Sequence, residues 1–154
     1  MAHIRKTIRE HIGTALTGLS TTGSSVYQCR VFPINASKLP ALLVFTKDEE
    51  IIETSLKRPR TQHRQLQVII EAHIKGTADI DDTIDTISEE VEEAMVSDVT
   101  RGGHAKDTRL QSTEIEFEEA TSKVGLCRFT YVIDYVTVEN AVQTNEISTR
   151  RWNY

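Results

Sequence analysis

Positions 65–75 alternate between apolar and polar side chains, with Ile69 as the one exception. The apolar members of this pattern are Leu66, Val68, Ile70, Ala72 and Ile74. Successive side chains of a β-strand point to opposite faces of its sheet, so the spacing predicts a strand with one buried and one polar face. A sheet that is apolar on one side needs a second layer to cover that side. The rest of the chain must therefore supply both partner strands and a covering layer.

Two shorter segments before this strand also have the composition of strands. Residues 26–32 alternate and end at Pro33, whereas residues 41–45 are continuously apolar, which favours a strand covered on both faces near the middle of a sheet. Residues 46–63 are largely charged or polar, and we expect them to form a loop that is longer than a hairpin requires. Such a loop is a candidate functional element.

Two further strands are predicted near the end of the chain. Residues 113–118 alternate apolar side chains with glutamates, and residues 127–135 alternate again. We expect the two strands to form a hairpin through residues 120–125. Arg128 would then lie among three acidic side chains of the neighbouring strand, an ordinary cross-strand pairing. These are Glu114, Glu116 and Glu118.

Two segments have the periodicity of amphipathic helices. Residues 3–18 place apolar side chains every three or four positions, and the segment that follows Asp79, a suitable N-cap, does the same. The two apolar stripes are Ile4, Ile8, Ile12, Leu16 and Leu19 in the first helix, and Ile80, Ile84, Ile87, Val91 and Met95 in the second. Each helix therefore has one stripe with which to cover a sheet.

The order of these segments predicts an α+β fold, α-β-β-β-α-β-β. A mostly antiparallel five-stranded sheet would carry two helices packed on one face. The opposite face of the sheet would be polar but not strongly charged. At 154 residues, the chain has the length of one domain, which can bury a core without a disulfide or a metal. We expect residues 1–138 to form that domain and residues 139–154 to form a tail, or an arm in which Trp152 anchors to a partner.

Charge is distributed unevenly along the chain, which has 18 Lys and Arg residues against 23 Asp and Glu residues, a net charge of −5. The second helix lies within residues 77–100, where nine residues are acidic and none is basic. Like charges one helical turn apart destabilise a helix unless something opposes them. Two interpretations stay open for each charged group: it is solvated, or it binds an oppositely charged surface. The candidate interface residues are Lys57, Arg58, Arg60 and Arg64 in the predicted loop, and Asp82, Asp85, Glu89 and Glu93 in the second helix.

Catalytic and metal-binding patterns are missing from the sequence. The five histidines are dispersed without the spacing of a zinc site, and Cys29 and Cys127 lie in predicted strands, which favours reduced, buried thiols. Residues 101–104 form an isolated glycine turn without the continuation of a phosphate-binding loop. No run approaches the ~20 apolar residues of a membrane span. We therefore expect no catalysis, no cofactor or metal, no membrane association and no export.

Several segments, taken in their order, resemble the tail terminator proteins of siphophages, the lambda-type family that caps a phage tail tube. They follow the N-terminal amphipathic helix and are LPALLVFT at 39–46, QLQVIIEAHIKG at 65–76, ADIDDTIDTI at 78–87 and CRFTYVIDYV at 127–136. The resemblance covers residues 3–138, and the chain departs from it in its Arg-rich loop and its C-terminal extension. It implies a fold and a role but no catalytic residue, because the family has no catalytic signature.

The role that the resemblance implies is that of a structural virion protein at the head-proximal end of the tail, assembled in the host cytoplasm. Such a protein forms a homo-oligomeric ring, typically a hexamer, which stops polymerisation of the tail tube protein and presents a surface to the head-tail connector protein. Genome DNA would pass through the lumen without specific binding, which suits a mildly acidic chain because an Arg-lined channel would retain phosphates.

Two alternatives stay open. One is another component of the phage neck, such as a head-tail connector or tail completion protein. The other is a cytosolic α+β domain that binds a ligand or regulates a partner through the polar face of its sheet.

Overall fold

The computed structural model describes residues 3–31, 39–76, 79–118 and 124–139, and it has two helices and five strands within them. In chain order these are α1 (Ile4–Leu16), β1 (Val26–Tyr27), β2 (Ala41–Thr54), β3 (Thr61–Lys75), α2 (Ile80–Val96), β4 (Asp107–Glu118) and β5 (Val124–Val138). The predicted α+β class and the order α-β-β-β-α-β-β are confirmed.

The strands form one sheet in the order β1-β2-β3-β5-β4. β1 pairs in parallel with β2, and the other three pairings are antiparallel. At the centre, β3 and β5 pair without interruption from Thr61 opposite Val138 to Lys75 opposite Val124. The predicted hairpin of β4 and β5 is confirmed. The sheet is therefore mostly antiparallel, as expected.

Both helices bury their apolar stripes against the same face of this sheet. The buried stripe residues are Ile4, Ile8, Ile12 and Leu16 of α1, and Ile84, Ile87, Val91 and Met95 of α2. They share one core with the inward side chains of β2, β3 and β5. α1 is shorter than the predicted 3–18: its first turn follows His3, whose ring accepts a hydrogen bond from the Arg5 N–H at 3.1 Å, and it ends before Gly18, whose φ of 93° breaks the helix.

The prediction of a long loop at residues 46–63 is wrong. β2 continues to Thr54 and β3 begins at Thr61, so only residues 55–60 connect them. The last five residues of β2 are all exposed, and a strand without a buried face has no reason to alternate in polarity. Two register shifts between β2 and β3 interrupt the pattern further.

The strand predicted for residues 26–32 is reduced to Val26–Tyr27. It pairs with β2 at two positions only, and farther along the chain the Arg30 guanidinium lies 5.4 Å from the centre of the Phe45 ring of β2. Cys29 is consequently half-buried rather than buried, and the prediction of a buried thiol holds for Cys127 alone.

The sheet face opposite the helices is more charged than predicted. Arg128 of β5 pairs with Glu71 at 2.9 Å, with Glu114 at 3.3 Å and with Glu116 at 3.8 Å. The pairing of Arg128 with glutamates of β4 is therefore confirmed for Glu114 and Glu116. The expectation of a weakly charged face was wrong because the charges lie in rows across β3, β5 and β4, which alternation within a single strand does not reveal.

Neither helix is both long and apolar enough to cross a membrane, within the part of the chain that the structure describes. Of the predicted C-terminal arm, only Glu139 belongs to that part. Trp152 lies outside the described residues.

Candidate functional site

A short turn, residues 55–60, connects β2 to β3, and we call it the basic turn. Two hydrogen bonds close its base: the Ser55 N–H donates to the Thr61 carbonyl at 2.9 Å, and the Thr61 N–H donates to Ser55 Oγ at 2.8 Å. Glu139, which follows β5, braces it from the side. Its N–H donates to the Arg60 carbonyl at 2.9 Å, and its carboxylate accepts from the Arg60 N–H at 3.2 Å. These bonds fix the direction in which the turn projects.

The tip of the basic turn combines apolar and basic side chains. Leu56 is 96% exposed, and Lys57 and Arg58 beside it are also exposed. Ile51 and Ile52, on the adjoining end of β2, are about half exposed. The turn therefore presents exposed aliphatic side chains next to cationic ones, and clustered exposed apolar side chains mark a candidate contact surface.

Arg64 does not belong to this tip, although the sequence grouped it with the other basic residues. It lies in β3 on the helix side of the sheet, with its side chain 11% exposed. Its guanidinium donates to Glu49 at 3.0 Å, to Thr137 Oγ1 at 2.9 Å and to Gln62 Oε1 at 2.9 Å. The positive charge of Arg64 is therefore engaged within its own chain.

Glu49 is the central hydrogen-bond acceptor of the cluster that contains Arg64. One of its carboxylate oxygens accepts from Arg64 and also from Arg5 of α1, at 2.8 Å, and the other accepts from the hydroxyl of Tyr135. Burial and this hydrogen bond both raise the pKa of Tyr135, so the phenol stays protonated and able to donate. The cluster ties the beginning of α1 to β2, β3 and β5. Sequence reasoning missed it because its members are far apart in the chain.

α2 presents an exposed row of carboxylates, which we call the acidic face. Its members are Asp82, Asp85, Glu89 and Glu93, the four positions that the sequence indicated, and all four are exposed. No carboxylate of α2 forms an ion pair within the described ranges. Glu90, on the flank of the helix, instead accepts hydrogen bonds from the Thr21 N–H at 3.0 Å and from the Thr21 hydroxyl at 2.6 Å. Among the described residues, nothing therefore relieves the mutual repulsion of the acidic face.

A buried cation holds the end of α2. Arg101 is fully buried, and its guanidinium donates to the carbonyls of Met95 and Asp98, where a positive charge also opposes the negative end of the helix dipole. The Asp98 carboxylate accepts hydrogen bonds from the Thr100 hydroxyl and the Gly102 N–H. These bonds, the one from Thr100 most of all, lower the pKa of Asp98 to about 2. The sequence showed here only a glycine turn, although a basic residue just after a helix is a known C-terminal signal.

The acidic face and the basic turn do not meet within one chain. Along β5, the partner of Thr61 at the base of the turn is Val138, whereas Tyr131 lines the same groove as the last turn of α2. Seven residues separate these two positions (138 − 131), which corresponds to about 23 Å along a strand. The structure therefore keeps the two charged groups apart, on different parts of the surface.

The charged face of the sheet is largely satisfied by its own contacts. Glu71 accepts from His73 at 3.4 Å and from Arg128 at 2.9 Å, and together these bonds lower the pKa of Glu71 despite its burial. A polar depression of about 570 Å³ lies farther towards the beginning of β3. Its lining includes Gln65, Gln67 and Gln111. This arrangement stabilises the sheet and does not favour a particular small ligand.

Catalytic and metal chemistry have no evident location among the described residues. No three His, Cys, Asp or Glu side chains there come together as metal ligands would. Burial raises the pKa of the Cys127 thiol, which leaves it protonated and a poor nucleophile.

The comparisons with known proteins point to one family. The sequence model of a family described as phage minor tail protein U matches residues 3–135. No curated protein shows a significant match. Among solved structures, a chain described as "Virion of native gene transfer agent (GTA) particle" is similar at 13% identity, with a TM-score of 0.44. The alignment covers 86% of this chain and 92% of that chain.

Proposed function

The chain belongs to the phage minor tail protein U family, and on this basis we propose that it is a tail terminator. Membership makes it a structural protein of the phage tail, a role that requires no catalysis. The finer proposal is that several copies assemble into a ring on the head-proximal end of the tail tube. The observation that carries the proposal is the family match over residues 3–135, nearly the whole predicted domain.

The separation of charge supports the ring. Two different patches of one chain, one basic and one acidic, can join neighbouring copies head to tail. A head-to-tail contact produces a closed ring when the rotation between copies closes, and an isologous dimer does not need two complementary patches. We propose six copies, the number that the resemblance to siphophage terminators implies.

A ring of this kind performs two tasks without a reaction. By covering the last layer of tube subunits, it occupies the surface on which another layer would add, and tube growth stops. Its other side is then free for the head-tail connector protein. The net charge of −5 leaves a lumen with little attraction for phosphates, so genome DNA can pass without being retained. Assembly would take place in the host cytoplasm before the head joins.

A tube-assembly experiment tests the proposal. Purified tail tube subunits are polymerised with and without the full chain, and tube lengths and tube ends are measured by electron microscopy. We expect shorter tubes that carry additional density at one end when the protein is present. Unchanged tube lengths together with uncapped ends would overturn the proposal.

Filled heads separate the terminator from the other neck components. A terminator binds tube ends in the absence of heads, whereas a connector binds the portal end of filled heads in the absence of tubes. Binding to filled heads alone would therefore support the connector and contradict the terminator.

A further inference from the structure

We propose that the basic turn of one copy docks into the groove between α2 and β4 of the next copy. In this contact Leu56 enters the groove, and Lys57 and Arg58 face its acidic rim. The inference rests on the proposed ring, since it names the contact that joins the ring's subunits.

The receiving groove lies where the last turn of α2 passes over β4. Its volume is about 430 Å³, within the range of about 300–1,000 Å³ that is usual for small-molecule pockets and large enough for one side chain. Its apolar lining includes Met95, Val96 and Leu110, and Val96 is 70% exposed. An exposed valine beside a groove is apolar surface that a second protein can cover.

The floor of the groove contains an unsatisfied polar group. Tyr131 lines the groove and is 3% exposed, yet its hydroxyl has no hydrogen-bond partner among the described residues. A buried hydroxyl without a partner is costly, and a ligand that supplies one relieves that cost. The guanidinium of Arg58, a donor, and the main-chain carbonyls of the basic turn, which are acceptors, are both suitable partners for it.

The charges of the rim match those of the turn. Glu92 and Glu93 line the groove on the α2 side, are exposed, and form no ion pair within the described ranges. Arg109 also lines the groove, but Asp134 already neutralises it. The rim is therefore net acidic, and two cations brought beside it would relieve the repulsion along α2.

The contact must join two copies. The basic turn lies beyond Thr61, about 23 Å along β5 from the level of Tyr131, and the hydrogen bonds at its base keep it from folding back. The turn and the groove are different surfaces, so each copy offers one of each. This makes the contact heterologous, as a ring requires.

Charge reversal and exchange test the contact. The variants are K57E/R58E, E92K/E93K and the four-fold combination, compared by sedimentation velocity at equal concentration and salt. We expect each double reversal to weaken ring formation by at least tenfold and the combination to restore most of it, because the charges again oppose one another. The matched control is K47E/K75E, two exposed lysines outside the basic turn, which should leave assembly unchanged. Circular dichroism checks that every variant is folded.

Cross-linking tests the geometry independently of charge. L56C and V96C are prepared separately in a C29S background and treated with a short bismaleimide, alone and mixed. A heterologous contact predicts cross-linked pairs only in the mixture. Cross-linked pairs in either variant alone would overturn the docking. So would the absence of cross-linked pairs in a mixture of the two variants that forms rings as the wild type does.

The outcomes separate this inference from the proposed function. Rings that persist at full strength in K57E/R58E contradict the docking while leaving the terminator intact. Loss of tube binding with intact rings would assign the basic turn to the tube and overturn the inference. A wild-type chain that forms no rings, with or without tubes, would instead contradict the proposed function itself.

Discussion

Replacing Glu49 with glutamine should cost this fold a substantial part of its stability. The carboxylate is 10% exposed and accepts from Arg5, Arg64 and Tyr135. Glutamine keeps the size of the side chain but loses the charge, and its single amide oxygen cannot accept at both positions where the carboxylate accepts. Because a typical domain is stable by only about 5–15 kcal/mol, a loss at this one position is measurable.

The magnitude depends on how well each partner can return to water. Arg5 is 41% exposed, so its pairing with Glu49 is screened and contributes little. Arg64 is 11% exposed and Tyr135 is 1% exposed, so neither can be fully hydrated once its acceptor is weakened. A hydrogen bond to a charged group contributes about 1.5–3 kcal/mol, and glutamine retains part of one of them. We therefore expect E49Q to lose about 2–3 kcal/mol, with a melting temperature lower by about 6 °C.

Urea unfolding followed by circular dichroism measures this loss as a lower midpoint at unchanged slope. The matched control is E50Q at the neighbouring exposed position, which should change stability by no more than about 0.5 kcal/mol. A double-mutant cycle of E49Q with Y135F should return a coupling of about 1 kcal/mol. Equal effects of E49Q and E50Q, or a coupling near zero, would refute the role given to this cluster.

Three further predictions concern other parts of the chain. Arg101→Ala removes a buried side chain and leaves the Met95 and Asp98 carbonyls without their donor, so urea unfolding should show a loss of about 3 kcal/mol; a loss below about 0.5 kcal/mol contradicts this. The pKa of Glu71 is lowered in the folded chain, so its stabilisation is present above its ordinary value of 4.5 and is lost as the pH falls through the lowered value. E71Q should therefore flatten the fall of the urea midpoint between about pH 5 and about pH 3, and an unchanged slope would disprove the coupling. Deletion of residues 140–154 should impair ring formation or tube capping while the melting temperature stays nearly constant, if Trp152 anchors to a partner; normal capping by the truncated chain would show that the arm is dispensable.

The elements that were predicted well are those whose side chains meet the core. α1, β3, α2 and β5 each have a face that must be buried, and burial imposes the 3.6-residue or two-residue period that a sequence displays. The far end of β2 obeys no such requirement. Its residues 50–54 are all exposed, and backbone pairing with β3 holds the strand in place. Such pairing does not require an alternation of apolar and polar side chains, so the sequence does not show it.

The exposure of the candidate interface residues was predicted in part, for a related reason. The four acidic positions of α2 were correctly expected at the surface because they lie opposite its apolar stripe. Arg64 was grouped with Arg58 and Arg60 because it is near them in sequence. That nearness does not reveal that β3 begins after Arg60 and that Arg64 lies within it. Leu56 and the groove could not be predicted, because both depend on how a hairpin projects and on how a helix end crosses a strand.

The mass and shape of the purified full chain test the central claim most directly. Native mass spectrometry together with electron microscopy, on the protein alone and mixed with tail tube subunits, should find a ring with a central hole. Six copies of the 17.4 kDa chain would have a mass of about 104 kDa. A 17.4 kDa monomer that persists at high concentration, and that leaves tube ends uncovered when tube subunits are added, would contradict the account.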